Sequence, residues 1–223
     1  VKKLKEDFKH IKIIEDASEA HGASFNGEMA GSLGDISTFS FYANKIITTG
    51  EGGMVLTDDK DTYERLCSLR NLNFVDRKKY IHSEIGFNFR LSNLNCSLGL
   101  GQLKNIDKTI ENRKRVGERY RIGLVKNAKI RLPQKENNVY WYYAIVVKEG
   151  LEKVIRALEE NKIDYRRMFH PLHKQPFIKS NDSLIIAEYL AENGLILPTY
   201  TTLEDYQIDF ICDVINTSLY EYV

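Results

Sequence analysis

The sequence is poor in the residues that staple or stiffen small proteins. Its 223 residues include three cysteines and four prolines. Cys67, Cys96 and Cys212 lie too far apart for a disulfide framework or a zinc ribbon, and such sparse thiols read as a reducing, cytoplasmic setting. Charge of one sign is lacking too: 32 basic residues against 31 acidic leave a net charge of +1. That balance gives no electrostatic case for nucleic acid or for a strongly acidic partner. Long apolar runs are missing. The longest, residues 140–147 and 184–187, fall far short of the ~20 residues needed to cross a bilayer, so no membrane partner is expected. The first residues, VKKLKEDFKHIK, are charged where a signal peptide would be apolar. The chain starts at Val1 and runs almost at once into a strand-like segment, as a piece of a longer protein would. Its 43% hydrophobic and 28% charged residues are those of a globular chain, long enough to bury a core unaided and to form one domain or two.

Periodicity organises the rest. Residues 11–14 are a β-branched run ending in Glu15-Asp16, which predicts a buried strand with polar residues at its C-terminal edge. Residues 17–21 suit a short helix closed by Gly22. Residues 25–34 are turn-rich, with Asn26-Gly27, Gly31 and Gly34. Strands are expected over 36–42, with Phe39 and Phe41 on one face and Ser40 on the other, and over 54–57. A helix is expected over 61–70. Strands alternating with helices predict an α/β domain. From Ser92 the texture turns helical. Leu94, Leu98 and Leu103, read as core packing, are followed by Ile106, Ile110, Val116 and Tyr120. Two helices fit residues 92–125, the second long. The tail reads strand, helix, strand, helix, helix: a strand at 140–147 and helices at 151–161, 184–193 and 206–215, the middle one stopped by Gly194. That is an α+β unit, so a boundary is placed inside the long helix, giving domains 1–125 and 126–223.

The chemistry concentrates between residues 11 and 57. Asp16 stands at a strand end, Lys45 follows the aromatic strand Phe39-Ser40-Phe41, and a glycine turn, Thr49-Gly50-Glu51-Gly52-Gly53, comes next. A lysine in such surroundings suits imine formation, since desolvation favours the neutral, nucleophilic amine. Pyridoxal phosphate asks a protein for a lysine, a carboxylate for its pyridine nitrogen and donors for its phosphate. Lys45, Asp16 and the Ser40 hydroxyl supply one of each. The plainer reading leaves Lys45 a solvated loop lysine and Asp16 a helix cap. His170 and His173 lack a third ligand, and Pro171 interrupts any helix that would align them, so no metal is expected. Arg77, Lys78 and Lys79 read as a solvated turn that, with His82, could instead meet a nucleotide diphosphate. Asn88 could cap a turn, and Arg90 could be an ordinary ion-pair partner.

The ordered segments IEDASEAHGA (14–23), GSLGD (31–35), FSFYANK (39–45), TGEGG (49–53), GFNFRLSN (86–93), GQL (101–103), YWYY (140–143), PLH (171–173) and GLILP (194–198) resemble the DegT/DnrJ/EryC1/StrS sugar aminotransferases. The resemblance runs along nearly the whole chain. It implies an α/β fold of the fold-type-I pyridoxal-phosphate transferases, aspartate aminotransferase-like: the C-terminal portion of the large domain, then the α+β small domain. It implies Lys45 as the residue that bonds the cofactor and shuttles the proton, and Asp16 as the partner of the pyridine nitrogen. It further implies Glu19 near the cofactor ring and Ser40 as a phosphate ligand. Asn88 would reach the phosphate in a neighbouring subunit, hence a homodimer with shared active sites. His82, Arg90 and His173 would face substrate.

The implied reaction moves an amino group, with L-glutamate as donor, onto a nucleotide-diphosphate ketosugar for polysaccharide (O-antigen) biosynthesis. Glu19, where many relatives have glutamine, points to the branch that forms GDP-perosamine from GDP-4-keto-6-deoxymannose. A dehydratase relative would carry histidine in place of Lys45. Family members also begin with a stretch bearing a Gly-Ser/Thr phosphate turn and a ring-stacking aromatic, neither of which precedes Asp16. The chain alone is therefore expected to hold half a pocket and to be inactive. The alternative is a non-catalytic fragment or binding module that needs that stretch.

Overall fold

The computed structural model describes residues 1–76, 78–135 and 138–220. Arg77 of the basic run lies outside them. The chain divides into two compact units, Val1–Ile110 and Glu111–Val223.

The first unit contains α1 (Lys2–Asp7), β1 (Ile14–Asp16), β2 (Ser24–Phe25), β3 (Glu28–Met29), β4 (Ile36–Ser40) and β5 (Gly53–Leu56). These are followed by α2 (Lys60–Arg70), β6 (Phe74–Asp76), β7 (Ile81–His82) and α3 (Asn93–Leu103). The main sheet has the order β1-β4-β5. β1 runs parallel to β4, with Asp16 opposite Thr38. β5 runs antiparallel to β4, with Gly53 opposite Ser40. Local chemistry sets the joints. Asn26 and Gly27, at φ 51° and 83°, form the left-handed turn that a two-residue hairpin between β2 and β3 requires. The Asp59 carboxylate caps α2 by accepting from Thr62 N at 2.8 Å, and the Ser92 hydroxyl caps α3 by accepting from Asn95 N at 3.2 Å. Glu15 turns inward, its carboxylate accepting from the amides of Gly31, Leu33 and Gly34 at 2.7, 2.9 and 3.2 Å.

Three expectations for this unit are corrected. The opening residues form the short helix α1, and β1 starts at Ile14, so Glu15 and Asp16 belong to the strand. Residues 17–21 are a turn, because the Asp16 carboxylate binds the amide and hydroxyl of Ser18 and so competes with helical bonding. Leu94, Leu98 and Leu103 are not core: α3 has no buried residue, and Leu94 is 82% exposed. Leu98 and Leu103 are also more than half exposed, and Leu103, nine residues beyond Leu94, falls on the opposite side of the helix, so the three form no single apolar face.

α4 (Ile106–Leu124) leads into the second unit, which contains β8 (Ile130–Arg131), β9 (Tyr143–Val147), α5 (Leu151–Glu160), β10 (Arg166–Arg167), α6 (Ile185–Asn193), β11 (Gly194–Leu197) and α7 (Asp205–Leu219). Its sheet is antiparallel, in the order β10-β11-β9-β8. The core joins Val116, Tyr120 and Leu124 of α4 with Tyr143, Ile145 and Val147 of β9. Val154 and Leu158 of α5 and Ile208, Ile211 and Ile215 of α7 complete it. Each fully buried aliphatic side chain contributes about 1.5–3 kcal/mol relative to exposure. This packing explains why the unit division lies near the start of α4: the buried face of that helix belongs to the second core. Besides several two- and three-residue strands, the periodicity reading misses β11. Gly194 does end α6, but it also opens a four-residue strand buried along its whole length. Such a short apolar run in a covered strand carries no alternation to reveal it. Among the described residues no helix is long and apolar enough to cross a membrane.

Candidate active site

The carboxyl ends of adjacent parallel strands are where α/β sheets gather ligands. Here Asp16 ends β1 and Ser40 ends β4. The segment after β4 folds back on itself. Phe41 N donates to Gly52 O at 2.9 Å, Thr49 N donates to Phe41 O at 2.9 Å, and Lys45 N donates to Tyr42 O at 3.0 Å. α3 clamps its far side. Gln102 accepts from Thr48 N at 3.1 Å and donates to Thr48 O at 2.6 Å, while Asn95 Nδ2 donates to Thr49 O at 2.5 Å. Ile46 and Ile47 are buried beneath. Lys45 is thus held on a fixed loop with its side chain only 9% exposed, and its Nζ donates to Glu19 Oε1 at 3.2 Å.

Asp16 Oδ1 accepts from Ser18 Oγ at 2.5 Å and from Ser18 N at 3.1 Å. These bonds, helped by the charge of Lys45, hold its carboxyl below the ordinary carboxylate range, so it is ionised at neutral pH. His21, which sequence reasoning passed over, sits on the same loop. It is 7% exposed, its ring 5.0 Å from Phe39 and 5.9 Å from Phe41. Burial and the nearby Lys45 push its pKa down, and neither ring nitrogen has a hydrogen-bond partner among the described residues. Its only sequence signal was its place in the EDASEAHG segment.

The predicted residues do not all converge. Asp16, Glu19 and Lys45 come together. Ser40 lies on the adjacent strand end, its Oγ accepting from Tyr42 N at 3.3 Å, which leaves its hydroxyl proton to donate. Asn88 and Arg90 form a separate cluster: Arg90 Nε donates to Asn88 Oδ1 at 2.7 Å and its Nη1 to Asn71 Oδ1 at 3.1 Å. Both line a cavity of about 1310 Å³ with Gly52, Gly53 and Ser92. His82 packs against Phe74 with ring centroids 4.4 Å apart and 31° between planes, and its Nδ1 lies 2.7 Å from Leu72 O. His173 belongs to the other unit, where Nε2 lies 2.9 Å from Glu188 Oε1. Among the described residues no three His, Cys, Asp or Glu side chains group closely enough to hold a metal ion.

A shielded amine, an ionised carboxylate held by hydroxyl and amide donors, and a nearby hydroxyl match the donor set that pyridoxal phosphate requires. The model of the DegT/DnrJ/EryC1/StrS aminotransferase family matches residues 1–216. The chain belongs to this family. It has the fold-type-I architecture of the pyridoxal-phosphate transferases, and aminotransferases of this family depend on that cofactor. The chain is 37% identical over 220 residues to GDP-perosamine synthase of Caulobacter vibrioides, covering 94% of this chain and 59% of the relative. It is 34% identical over 214 residues to GDP-perosamine synthase of Escherichia coli O157:H7, covering 93% and 58%. The PLP form of a Streptococcus pneumoniae protein assigned as a sugar aminotransferase superposes with a TM-score of 0.84 at 25% identity, over 96% of this chain and 59% of that one. The chain therefore spans a little under three fifths of the length of each of these three relatives.

Proposed function

We propose that the protein is a pyridoxal-phosphate-dependent aminotransferase of a nucleotide-linked 4-keto-6-deoxy sugar, GDP-perosamine synthase-like, with L-glutamate as amino donor. The observation behind this reading is the shielded Lys45 amine, paired with Glu19 beside the ionised Asp16 at the ends of two parallel strands. Pyridoxal phosphate, when bound, supplies the aldehyde and the electron sink. The chain's own residues do the rest. Lys45 Nζ takes and returns the proton at the reacting carbon. Asp16, kept ionised by Ser18, holds a proton on a ring nitrogen by charge. The Ser40 hydroxyl donates to phosphate. Glu19 draws Lys45 Nζ to one side of the loop and so orients it. Asn88 is proposed to reach the phosphate across a homodimer, and Arg90 is proposed to face substrate. His82 and His173 remain proposed substrate contacts, and 1–125 and 126–223 the proposed limits of the partial large domain and the small domain.

The test is product analysis. The protein, expressed with its complete coding sequence, is incubated with GDP-4-keto-6-deoxymannose, L-glutamate and the cofactor. Mass spectrometry should find the amino sugar nucleotide, and Lys45→Ala should not form it. Loss of the substrate's oxygen without gain of nitrogen would overturn the transamination reading.

A further inference from the structure

A carboxylate in the second unit gathers donors from both ends of one loop. Glu188 stands on the first turn of α6. Its Oε1 accepts from Leu184 N at 3.0 Å, while its own amide donates to Leu184 O at 3.0 Å. This reciprocal pair ties the side chain to the start of the helix. Lys174 Nζ lies 3.4 Å from Oε2, and His173 Nε2 lies 2.9 Å from Oε1. His173 and Lys174 belong to a single 3-10 turn, Leu172–Lys174. One carboxylate therefore joins that turn to α6 across residues 175–183. The His173 side chain is shielded at the joint, 9% exposed against 47% for Lys174.

These bonds decide what the imidazole presents. The His173 contact, then the Leu184 amide and the Lys174 charge, hold the Glu188 carboxyl below the ordinary carboxylate range. The group is ionised at neutral pH and can only accept. A ring nitrogen 2.9 Å from it must carry a proton, which fixes Nε2 as N–H. Nδ1 has no hydrogen-bond partner among the described residues. In the neutral ring that atom is a lone pair, an acceptor suited to a hydroxyl. Neighbouring His170 does not share the carboxylate: its Nε2 meets Lys174 O at 3.2 Å. Without Glu188, nothing among the described residues would choose between the two tautomers of His173.

We infer that Glu188 is a positioning residue: it holds His173 as the Nε2–H tautomer, so that Nδ1 is offered as an acceptor to a substrate hydroxyl. This role rests on the reading above that His173 faces substrate, and it names the group that sets the chemistry of that contact.

Two measurements separate this role from that reading. The protein, expressed with its complete coding sequence and isotope-labelled histidine, is examined by solid-state nitrogen NMR at about pH 8, where an ordinary imidazole is neutral. Signals of His173 are assigned by their loss in His173→Asn. Nε2 should be protonated and Nδ1 bare. Glu188→Leu should move much of the ring population to the Nδ1–H form. Glu188→Gln keeps an oxygen for Nε2–H and for Leu184 N, so it should hold most of the parental form. In steady state, Glu188→Leu should raise KM for the ketosugar nucleotide several-fold, up to about tenfold, as the loss of one hydrogen bond would. Its kcat should change little, and Glu188→Gln should recover most of the KM. A merely helix-capping glutamate would alter stability without changing the tautomer. If the parental ring is Nδ1–H, or if Glu188→Leu keeps the parental spectrum, the positioning role is refuted; the parental spectrum decides the first point even if Glu188→Leu does not fold. A changed tautomer with unchanged KM would instead refute the contact between His173 and substrate.

Discussion

Two stacked tyrosines in the second core should respond in opposite directions to the same atomic deletion. Tyr120 and Tyr143 are both fully buried, with ring centroids 5.0 Å apart. The Tyr120 hydroxyl donates to Pro198 O at 3.0 Å. The Tyr143 hydroxyl is buried without a partner among the described residues. Burial pushes both phenol pKa values up, so both hydroxyls are neutral across the ordinary pH range. Tyr120→Phe removes a donor and strands the Pro198 carbonyl, which costs about 1–3 kcal/mol. Tyr143→Phe removes a hydroxyl that was desolvated without compensation. The ring packing is kept, so the variant should be more stable by about 1–2 kcal/mol. Urea denaturation followed by far-ultraviolet circular dichroism reads the difference as midpoints moving in opposite directions at an unchanged slope. Equal destabilisation by both variants would refute the reasoning, because the Tyr143 hydroxyl would then have to be satisfied by a group such as an internal water.

Further outcomes follow for the active site. Borohydride treatment of the protein with pyridoxal phosphate, then peptide mapping, should place the label on Lys45; a label on another lysine sinks the assignment. Asp16→Asn should keep the cofactor but lose most turnover in both half-reactions, and near-normal rates would remove Asp16 as the ring partner. Asp16 has a depressed pKa, so its contribution to stability is full above its ordinary value of 3.8 and is lost as pH falls through its folded value. Ser18→Ala should move that loss up toward pH 3.8, as followed by carboxyl NMR titration; an unmoved titration would show that Ser18 does not set it. Mixing Asn88-impaired with Lys45-impaired protomers should restore activity through one intact site per heterodimer, and confirmed heterodimers without activity would argue for self-contained protomers.

Much of this molecule was legible in its residues, for reasons that differ by segment. α2 could be placed closely because Asp59 is a cap by chemistry and needs no distant partner. α5 could be placed because Val154, Ile155 and Leu158 recur on one face and are buried there. Asp16 and Lys45 could be offered as candidates from their chemistry, but lysines and strand-end aspartates are common, and it is the family resemblance that singles them and Glu19 out. The failures share a cause: they depend on what lies opposite in space. Leu94 has the spacing of a core residue, but spacing cannot say whether a neighbour exists. β11 is invisible to periodicity because both of its faces are covered.

The clamp of Gln102 and Asn95 on Thr48 and Thr49 has a consequence for how this site can change over evolutionary time. Two amide side chains, seven residues apart and therefore about two helical turns apart on one stripe of α3, act as a jig for the backbone just beyond Lys45. Inserting a single residue between them would swing one amide by about 100° around the helix axis and release one end of the jig. Sequence drift around Lys45 is therefore constrained from a helix some fifty positions away. A change of helix length there would misplace the lysine without touching any atom that reacts.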